Sequence, residues 1–568
     1  MKSLFLNILI LSTSTLFCTS AYGQAENVPV GHPVYVFLKR LEVKGLIERY
    51  HDAVLPLSRR DVATFLDRIK EKRNELTSAE RTYLEDYQAE FQHSLSGETT
   101  GIQSLISSSS APHGGTLGDL FSPREKFLYA LVDSNLSFFV NGLLNLDIRR
   151  RSGDNLGGEH AEYLQFGARI RGTVYNRLGY YLHGTNAQFW GSRELLQQDP
   201  VVGQAFTLGV TNAKNFDFVE GYVRYDGGIV SAQVGRERLL WGTGYDEKMI
   251  ASDNVRVFDF IRADAEYKSL KYSFIHGWLL GKRSNLIFTL PPDTSTQYSE
   301  PVVADKYFAA HRLEFSFPGL FDIGGQEMVI YSNRSPDLAF LNPVTLIESA
   351  QRSREERDNV LWAFDIQTHF IPNVELSGTF LLDDLNFPDL FTDVWSNRFA
   401  YQAGMFYVEP FTLGNTSLMV EYTRVEPYVF AHNRSRENDY GSGGRPLGTR
   451  IGPNADSWFV RGDYLPMRNL HLSFRVRFVR HGMNEVDPSG NLIRNVGGDF
   501  LQPHRDTDPQ TKVFLDGILT RTRTLQFVGS YEFVHQLWAE LFIAHEEKKA
   551  SGTTMNATTV EGRLRWEI

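Results

Sequence analysis

Leu164-Gln165-Phe166-Gly167-Ala168-Arg169-Ile170-Arg171-Gly172-Thr173-Val174 alternates between apolar and polar side chains. Leu164, Phe166, Ala168, Ile170 and Val174 fall on one side of an extended chain, and Gln165, Arg169, Arg171 and Thr173 on the other. Side chains of a strand point to opposite faces in turn, which gives this period of two. The split recurs. Leu313, Phe315 and Phe317 oppose Arg312, Glu314 and Ser316; Trp362, Phe364 and Ile366 oppose Asp365, Gln367 and His369; Leu472, Phe474, Val476 and Phe478 oppose Ser473, Arg475 and Arg477. A closed barrel in lipid needs one apolar and one polar face per strand, but a soluble antiparallel sandwich alternates too.

The connections decide between them. Strands are expected at roughly 135–151, 161–174, 177–190, 216–225, 228–239, 257–267, 270–280, 306–317, 322–332, 360–370, 373–382, 398–410, 414–426, 456–465, 469–480, 521–534, 536–547 and 557–568, about eighteen in all. Tight connections at Asn176, Asp226-Gly227-Gly228, Ser269, Pro372-Asn373 and Pro466-Met467 alternate with long ones at 191–215, 240–256, 281–305, 333–359, 383–397, 427–455 and 481–520. Short turns at one rim and long loops at the other are the pattern of outer-membrane barrels, with the long loops outside. The chain ends on a strand, Val560 to Ile568, able to pair with the first and close the sheet. Threading from the first strand places the N-terminal region and Ile568 on the periplasmic side. The predicted fold class is an all-β transmembrane barrel with a small N-terminal α-helical bundle.

Residues 1–23 read as an export signal: Lys2, an apolar run from Leu4 to Leu11 broken by Asn7, and Ala21-Tyr22-Gly23 before a cleavage point at Gln24. Phe17 is bulky where a lipid-anchor signal needs a small residue, so Cys18, the one cysteine, is read as part of the signal. At 568 residues, 13% aromatic and 22% charged, the chain has ample apolar surface to bury, which excludes disorder. A net charge of −10 gives no basic excess to hold nucleic acid, and no long apolar helix follows the signal.

Residues 24–93 read as the helical bundle. Val34, Phe37, Leu38 and Leu41 follow helical spacing after Pro33, and Gly45 is placed to stop that helix. Ser58 with Asp61 caps the stripe Val62, Phe65, Leu66 and Ile69; Thr77 with Glu80 caps Tyr83, Leu84, Tyr87 and Phe91. Such a bundle is either a folded cap on something larger or a docking module for a periplasmic export component. Residues 94–124, with Ser107 to Ser110 and Gly114-Gly115, read as a flexible linker, so that 94–134 is linker and barrel entry ahead of the barrel at 135–568.

About eighteen strands enclose an aqueous lumen unless something fills it. The inward charges are expected to be Arg169, Arg171, Glu220, Arg224, Arg262, Asp264, Arg312, Glu314, Asp365, Arg475, Arg477 and Glu532. They either brace the lumen as ion pairs or line a hydrated path, and neither sign dominates. Val344 to Arg357 reads as a helix, either solvated at the mouth or plugging the pore. The 427–455 loop carries Arg434, Arg436, Arg445 and Arg450 with Tyr428, Phe430 and Tyr440, a set suited to an acidic sugar. No H-E-x-x-H or G-x-S-x-G spacing occurs, and Asp383-Asp384 and Asp506/Asp508 read as surface acids, so no catalytic residue, metal or cofactor is expected.

Gly235-Arg236-Glu237-Arg238-Leu239-Leu240-Trp241-Gly242-Thr243-Gly244 with Ser252-Asp253-Asn254 resembles the capsule-assembly outer-membrane protein family, the Wzi type. Tyr331-Ser332-Asn333-Arg334 with Phe340-Leu341-Asn342-Pro343 also resembles it, as does His32 to Leu38 with Pro56-Leu57-Ser58-Arg59. The resemblance implies an eighteen-stranded barrel with a periplasmic helical bundle, set in outer-membrane lipid. It also implies a lectin-like, non-enzymatic role in binding and organising exported capsular or surface polysaccharide. Trp241 and Arg334 lie in the matching motifs, and with Tyr245, Arg434, Tyr440, Arg445 and Arg450 they are the candidate glycan contacts. The alternatives are a girdle aromatic for Trp241 and a structural ion pair for Arg334. The alternative function is a porin-like diffusion channel for a small solute.

Overall fold

The computed structural model describes residues 24–107, 111, 113, 118, 124–154, 156–205, 208, 213–290, 293–384, 387–389, 392–432 and 437–568. The export signal read over 1–23 therefore lies outside the described residues, as do Ser108 to Ser110 and Gly114-Gly115 of the linker.

Eighteen antiparallel strands form the barrel: β1 Leu136–Gly153, β2 Leu156–Val174, β3 Leu178–Gly191, β4 Asn215–Asp226, β5 Val230–Arg236, β6 Asp259–Tyr267, β7 Leu270–Leu290, β8 Asp293–Phe317, β9 Phe321–Ser332, β10 Asn359–Thr368, β11 Val374–Asp384, β12 Arg398–Val408, β13 Thr416–Val425, β14 Ala455–Met467, β15 Leu470–Met483, β16 Ile518–Val534, β17 Leu537–Ala550 and β18 Thr553–Glu567. Each pairs with its sequence neighbours. β18 closes the sheet on β1, from Ala557 opposite Gly153 to Glu567 opposite Leu143. The edge of β1 left below that seam pairs with a short strand, Tyr129–Asp133.

Alternation in the sequence becomes inside and outside. Leu164 and Phe166 are 38% and 57% exposed on the outer face, whereas Arg171 and Thr173 are 6% and 3% exposed inside. A belt of such outward apolar side chains is tolerable only against lipid. Two expectations about the long-loop rim are corrected. Residues 281–305 are not a loop: β7 and β8 stay paired as far as Leu290 opposite Asp293. Pro291-Pro292 and the Ser/Thr content suggested a loop, but Leu286-Ile287-Phe288-Thr289 is strand-prone and carries the ladder on. The connections β1–β2 and β17–β18 on that rim are also tight, with pairing up to Gly153–Leu156 and Ala550–Thr553.

The N-terminal helices are α1 Val34–Val43, α2 Arg59–Glu71 and α3 Ser78–Ser96. Their ends follow the capping chemistry. Gly45 takes a left-handed φ of 76° after α1, Ser58 Oγ accepts from the Asp61 N–H at 3.1 Å, and Thr77 and Glu80 form a reciprocal box at 3.2 and 2.9 Å. Val34, Leu38, Leu41, Val62, Leu66, Ile69, Leu84 and Phe91 make one core. The bundle is a cap seated in the tight-turn mouth of the barrel. Lys39 Nζ lies 2.7 Å from Glu375, Arg40 lies 2.9 Å from Glu409, and Thr77 Oγ1 donates to Asn415 at 2.8 Å. Asp86 pairs with Arg468 beside it. The described parts of 94–134 are tied down as well, with Ile102–Ser104 paired in parallel to Glu125–Phe127.

Ahead of α1 the chain runs through the lumen. The Ala25 N–H donates to Thr173 Oγ1 at 2.8 Å, its carbonyl accepts from Arg224 at 2.9 Å, and Glu26 pairs with Arg171 at 2.9 Å. Asn27 Nδ2 donates to Gln233 and Glu237 at 2.9 and 2.8 Å. Gly179 makes room for this segment, since a Cβ there would stand 2.5 Å from the Glu26 nitrogen. Gly179→Leu should therefore expel residues 24–27, lowering the thermal unfolding temperature and exposing the segment to protease. Gly184→Leu, whose Cβ meets nothing within 4 Å, should leave both unchanged. Equal behaviour of the two variants would show that the segment is not held there.

Candidate functional site

The lower lumen is a lattice of ion pairs. Arg169 meets Glu567 at 2.9 Å, Arg224 meets Asp226 at 3.2 Å, and Arg262 meets Asp264 at 2.8 Å. Arg312 bridges Glu314, at 2.7 Å, and Asp365, while Glu314 also meets His51 of the N-terminal module. Glu220 lies 3.8 Å from His183 and Glu532 lies 3.2 Å from His535. Arg475 donates to Ser473 at 3.3 Å, and Arg477 reaches Asp246 and Glu247 of the loop after β5. Charges taken out of bulk water are tolerable when paired in this way.

From the opposite rim, the loop 237–258 descends into the barrel. Leu240–Trp241 pairs with Val54–Leu55 of the N-terminal module, Leu55 opposite Leu240 and Val54 opposite Trp241. The two fillers thus meet mid-lumen in a two-stranded sheet. Around this junction Trp241, Met249, Ile250, Phe260, Phe308, Met328, Phe430 and Tyr440 form an apolar core. Phe430 stacks on Tyr440 with centroids 5.3 Å apart.

This arrangement corrects several sequence-based site expectations. Trp241 is 1% exposed, so it is neither a surface glycan contact nor a girdle aromatic. Tyr440 is fully buried, donating to the Ile250 carbonyl at 2.8 Å. Tyr245 is wedged in the lumen, its hydroxyl donating to Glu375 at 2.8 Å and its N–H to Glu421 at 2.5 Å. Arg434 lies outside the described residues. Arg445 and Arg450 do reach the outer mouth, where Arg445 donates to the Gly203 carbonyl at 3.2 Å and Arg450 pairs with Asp253. Asp383 and Asp384 flank Arg398, at 3.6 and 2.7 Å, and Asp508 holds Arg505 at 2.6 Å.

Arg334 belongs to a different feature. Residues 333–358, with α5 Leu338–Leu341 and α6 Ile347–Ser353 counted after α4 Arg193–Gln197, fold over the outer wall of β7–β9. The segment is therefore neither a solvated mouth helix nor a pore plug. Glu327, on the outward face yet 1% exposed, accepts from the Ile347 and Glu348 N–H groups at 2.8 and 2.7 Å. Tyr331 OH accepts from the Asp337 N–H at 3.1 Å and contacts His276 Nε2 at 2.7 Å. Arg334 lies 4.8 Å over the Tyr331 ring and grips Asp358 at 2.8 and 2.6 Å. It is a structural ion-pair residue of this shelf.

A cavity of about 810 Å³ lies in the outer half of the lumen, lined by β1, β16, β17, β18 and the loop of α4. It lies under the two tight outer turns. Arg149, between Asp147 at 2.6 Å and Asp199 at 2.6 Å, and Arg563, between Asp147 at 3.1 Å and Glu561 at 2.6 Å, make a rigid floor. Arg151, Asp154, Gln198, Glu546, Lys548 and Asn556 stand around it, with Phe542 supplying an aromatic face. Planar guanidinium, amide and carboxylate groups match pairs of hydroxyls, and charges of both signs keep the lining near neutral. None of these residues was singled out from sequence. They come from both ends of the barrel segment, and closure alone unites them; the charged strand ends Arg149-Arg150-Arg151 and Glu546-Glu547-Lys548-Lys549 were the visible signal.

The family model described as capsule assembly protein Wzi matches residues 143–517. No curated protein matches the chain in sequence. Among solved structures the fold is similar to Wzi of Escherichia coli, described as an outer membrane protein involved in group 1 capsule assembly and a carbohydrate binding beta-barrel. The TM-score is 0.54 at 11% identity, covering 94% of this chain and 99% of that one. OccAB4 of Acinetobacter baumannii gives a TM-score of 0.42 at 10% identity, over 76% of this chain and 98% of that one. OprD of Pseudomonas aeruginosa gives 0.41 at 10% identity, over 76% and 95%.

Trp241→Ala should cost about 3–5 kcal/mol of stability, as for other large-to-alanine changes in a packed core. Any affinity of the protein for glycan should stay unchanged, and a loss of affinity without destabilisation would return Trp241 to the candidate contacts.

Proposed function

The chain belongs to the capsule assembly protein Wzi family, and from that premise we propose that it is a non-enzymatic outer-membrane barrel whose outer vestibule binds exported surface polysaccharide and retains it on the cell. The observation that carries this reading is the vestibule itself: a cavity of about 810 Å³, lined by charged, amide and aromatic side chains, above a lumen occupied by residues 24–58 and 237–258. The fold neighbour from Escherichia coli is described as carbohydrate binding, and the lining here suits a hydroxyl-rich polymer. Arg445 and Arg450 extend the same mouth on its other side. Repeating sugars offer many copies of one weak contact, so modest sites on many barrels give firm retention.

In this reading the helical cap and Ile568 face the periplasm, the 192–214, 426–454 and 484–517 loops face outward, and lipid covers the apolar belt. An export signal over 1–23 leaves Gln24 at the head of the segment held in the lumen. The free face of the cap is where a periplasmic export component would dock. The filled lumen deprives the diffusion-channel alternative of a path, so purified protein in a planar bilayer should give no large stable current.

Two measurements test the reading. Deleting the gene should move polysaccharide from the cell-bound to the shed fraction at constant total; an unchanged split would sink retention. Arg151→Ala with Lys548→Ala should weaken glycan binding about tenfold, the ~1.4 kcal/mol of one or two charge-assisted contacts, and complement the deletion poorly. Unaltered binding would remove the vestibule from the site.

A further inference from the structure

Where α1 meets the barrel wall, four carboxylates crowd together: Glu42 of α1, Asp52 of the connection that follows, Asp322 of β9 and Glu375 of β11. Lys39 Nζ serves three of them, at 2.9 Å from Glu42, 3.0 Å from Asp52 and 2.7 Å from Glu375. The second cation, Lys248 of the lumenal loop, interacts with Asp52 and Glu375 and is shared with Glu421. His369, in the turn after β10, lies 3.2 Å from Asp322 through Nε2 and 3.9 Å from Glu375 through Nδ1. With a neutral imidazole, four negative charges face two positive ones. The deficit sits where Glu42, Asp322 and Glu375 are 4%, 5% and 0% exposed, and uncompensated charge there is costly.

Two groups in the cluster lack a hydrogen-bond partner, Asp322 Oδ1 and His369 Nδ1. One ligand atom each from Glu42, Asp322 and His369 lies within 4.8 Å of the others. We propose that Glu42, Asp322 and His369 bind a divalent cation of the Zn²⁺ or Mn²⁺ class, which fastens α1 to the inner rim of the barrel. Two carboxylates with an imidazole suit such borderline ions, whereas Ca²⁺ prefers oxygen ligands throughout. Ligands about 2.1 Å from one ion stand ~3.4 Å apart in tetrahedral geometry, so the three side chains draw together on binding. The ion brings the four carboxylates and two lysines to balance. A proton is the competing occupant: burial pushes the Glu42 carboxyl up to about 8 against the pull of Lys39, with Asp52 and Glu375 adding to the rise. Spacing hides the site because its ligands come from the N-terminal module, one barrel strand and the turn after the next strand.

The test uses untagged full-length protein in detergent, stripped with a chelator and titrated separately with zinc chloride and manganese chloride. One ion per chain by mass spectrometry is expected, with a rise of several degrees in the unfolding temperature. Both should be lost in His369→Ala, Asp322→Asn and Glu42→Gln, each checked for a folded barrel by its resistance to SDS. Three separate ligand variants keep the test decisive where one fails to fold. A stripped wild type that takes up neither ion overturns the proposal, as does uptake that survives in the folded variants. Uptake without any shift in unfolding temperature overturns the fastening role.

Discussion

A closed sheet of eighteen strands encloses more space than its own inward side chains can fill, and the rest of this structure follows from how that space is occupied. The polar inner face that suits a water-filled tube becomes a liability once chain is packed into it, because each buried charge then needs a partner. Many partners stand on neighbouring strands, and the chain packed inside supplies others: Glu26 for Arg171, His51 for Glu314, and Asp246 and Glu247 for Arg477. In the sector where the outer turns are tight, a cavity stays open between the wall and the loop of α4.

The architecture was legible because period-two alternation and turn chemistry are local. The strand run from Leu164 to Val174, the stop at Gly45 and the boxes at Ser58 and Thr77 each depend on a few adjacent residues. The extension of β7 and β8 was not legible, because a Ser/Thr-rich stretch such as 293–299 reads alike in a loop and in a long ladder. Trp241 was misread for a related reason. An aromatic residue ending a strand carries the same local signature at a lipid interface and on a loop that turns back inside.

One signal was present in the sequence and lacked an interpretation. Met328-Val329-Ile330-Tyr331 breaks the alternation of β9, and all four residues are fully buried. An uninterrupted apolar run in a strand means cover on both faces. Here the inner cover is the core around Trp241 and the outer cover is the shelf of α5 and α6. The charged strand ends that line the vestibule were visible but not their meeting, since Arg149 and Glu561 become neighbours only when the first and last strands pair.

The pairing of Leu55 with Leu240 and Val54 with Trp241 ties the two fillers to each other. Each strand of that small sheet supplies the edge the other needs, and one comes from each mouth. Withdrawing either leaves backbone groups unpaired inside and removes partners of Arg171 and Glu314, or of Arg477, from the lumen. An empty, finished barrel would carry unpaired backbone and charge that the filled one does not, so the contacts that hold the two fillers in place are also those that obstruct the way through the wall.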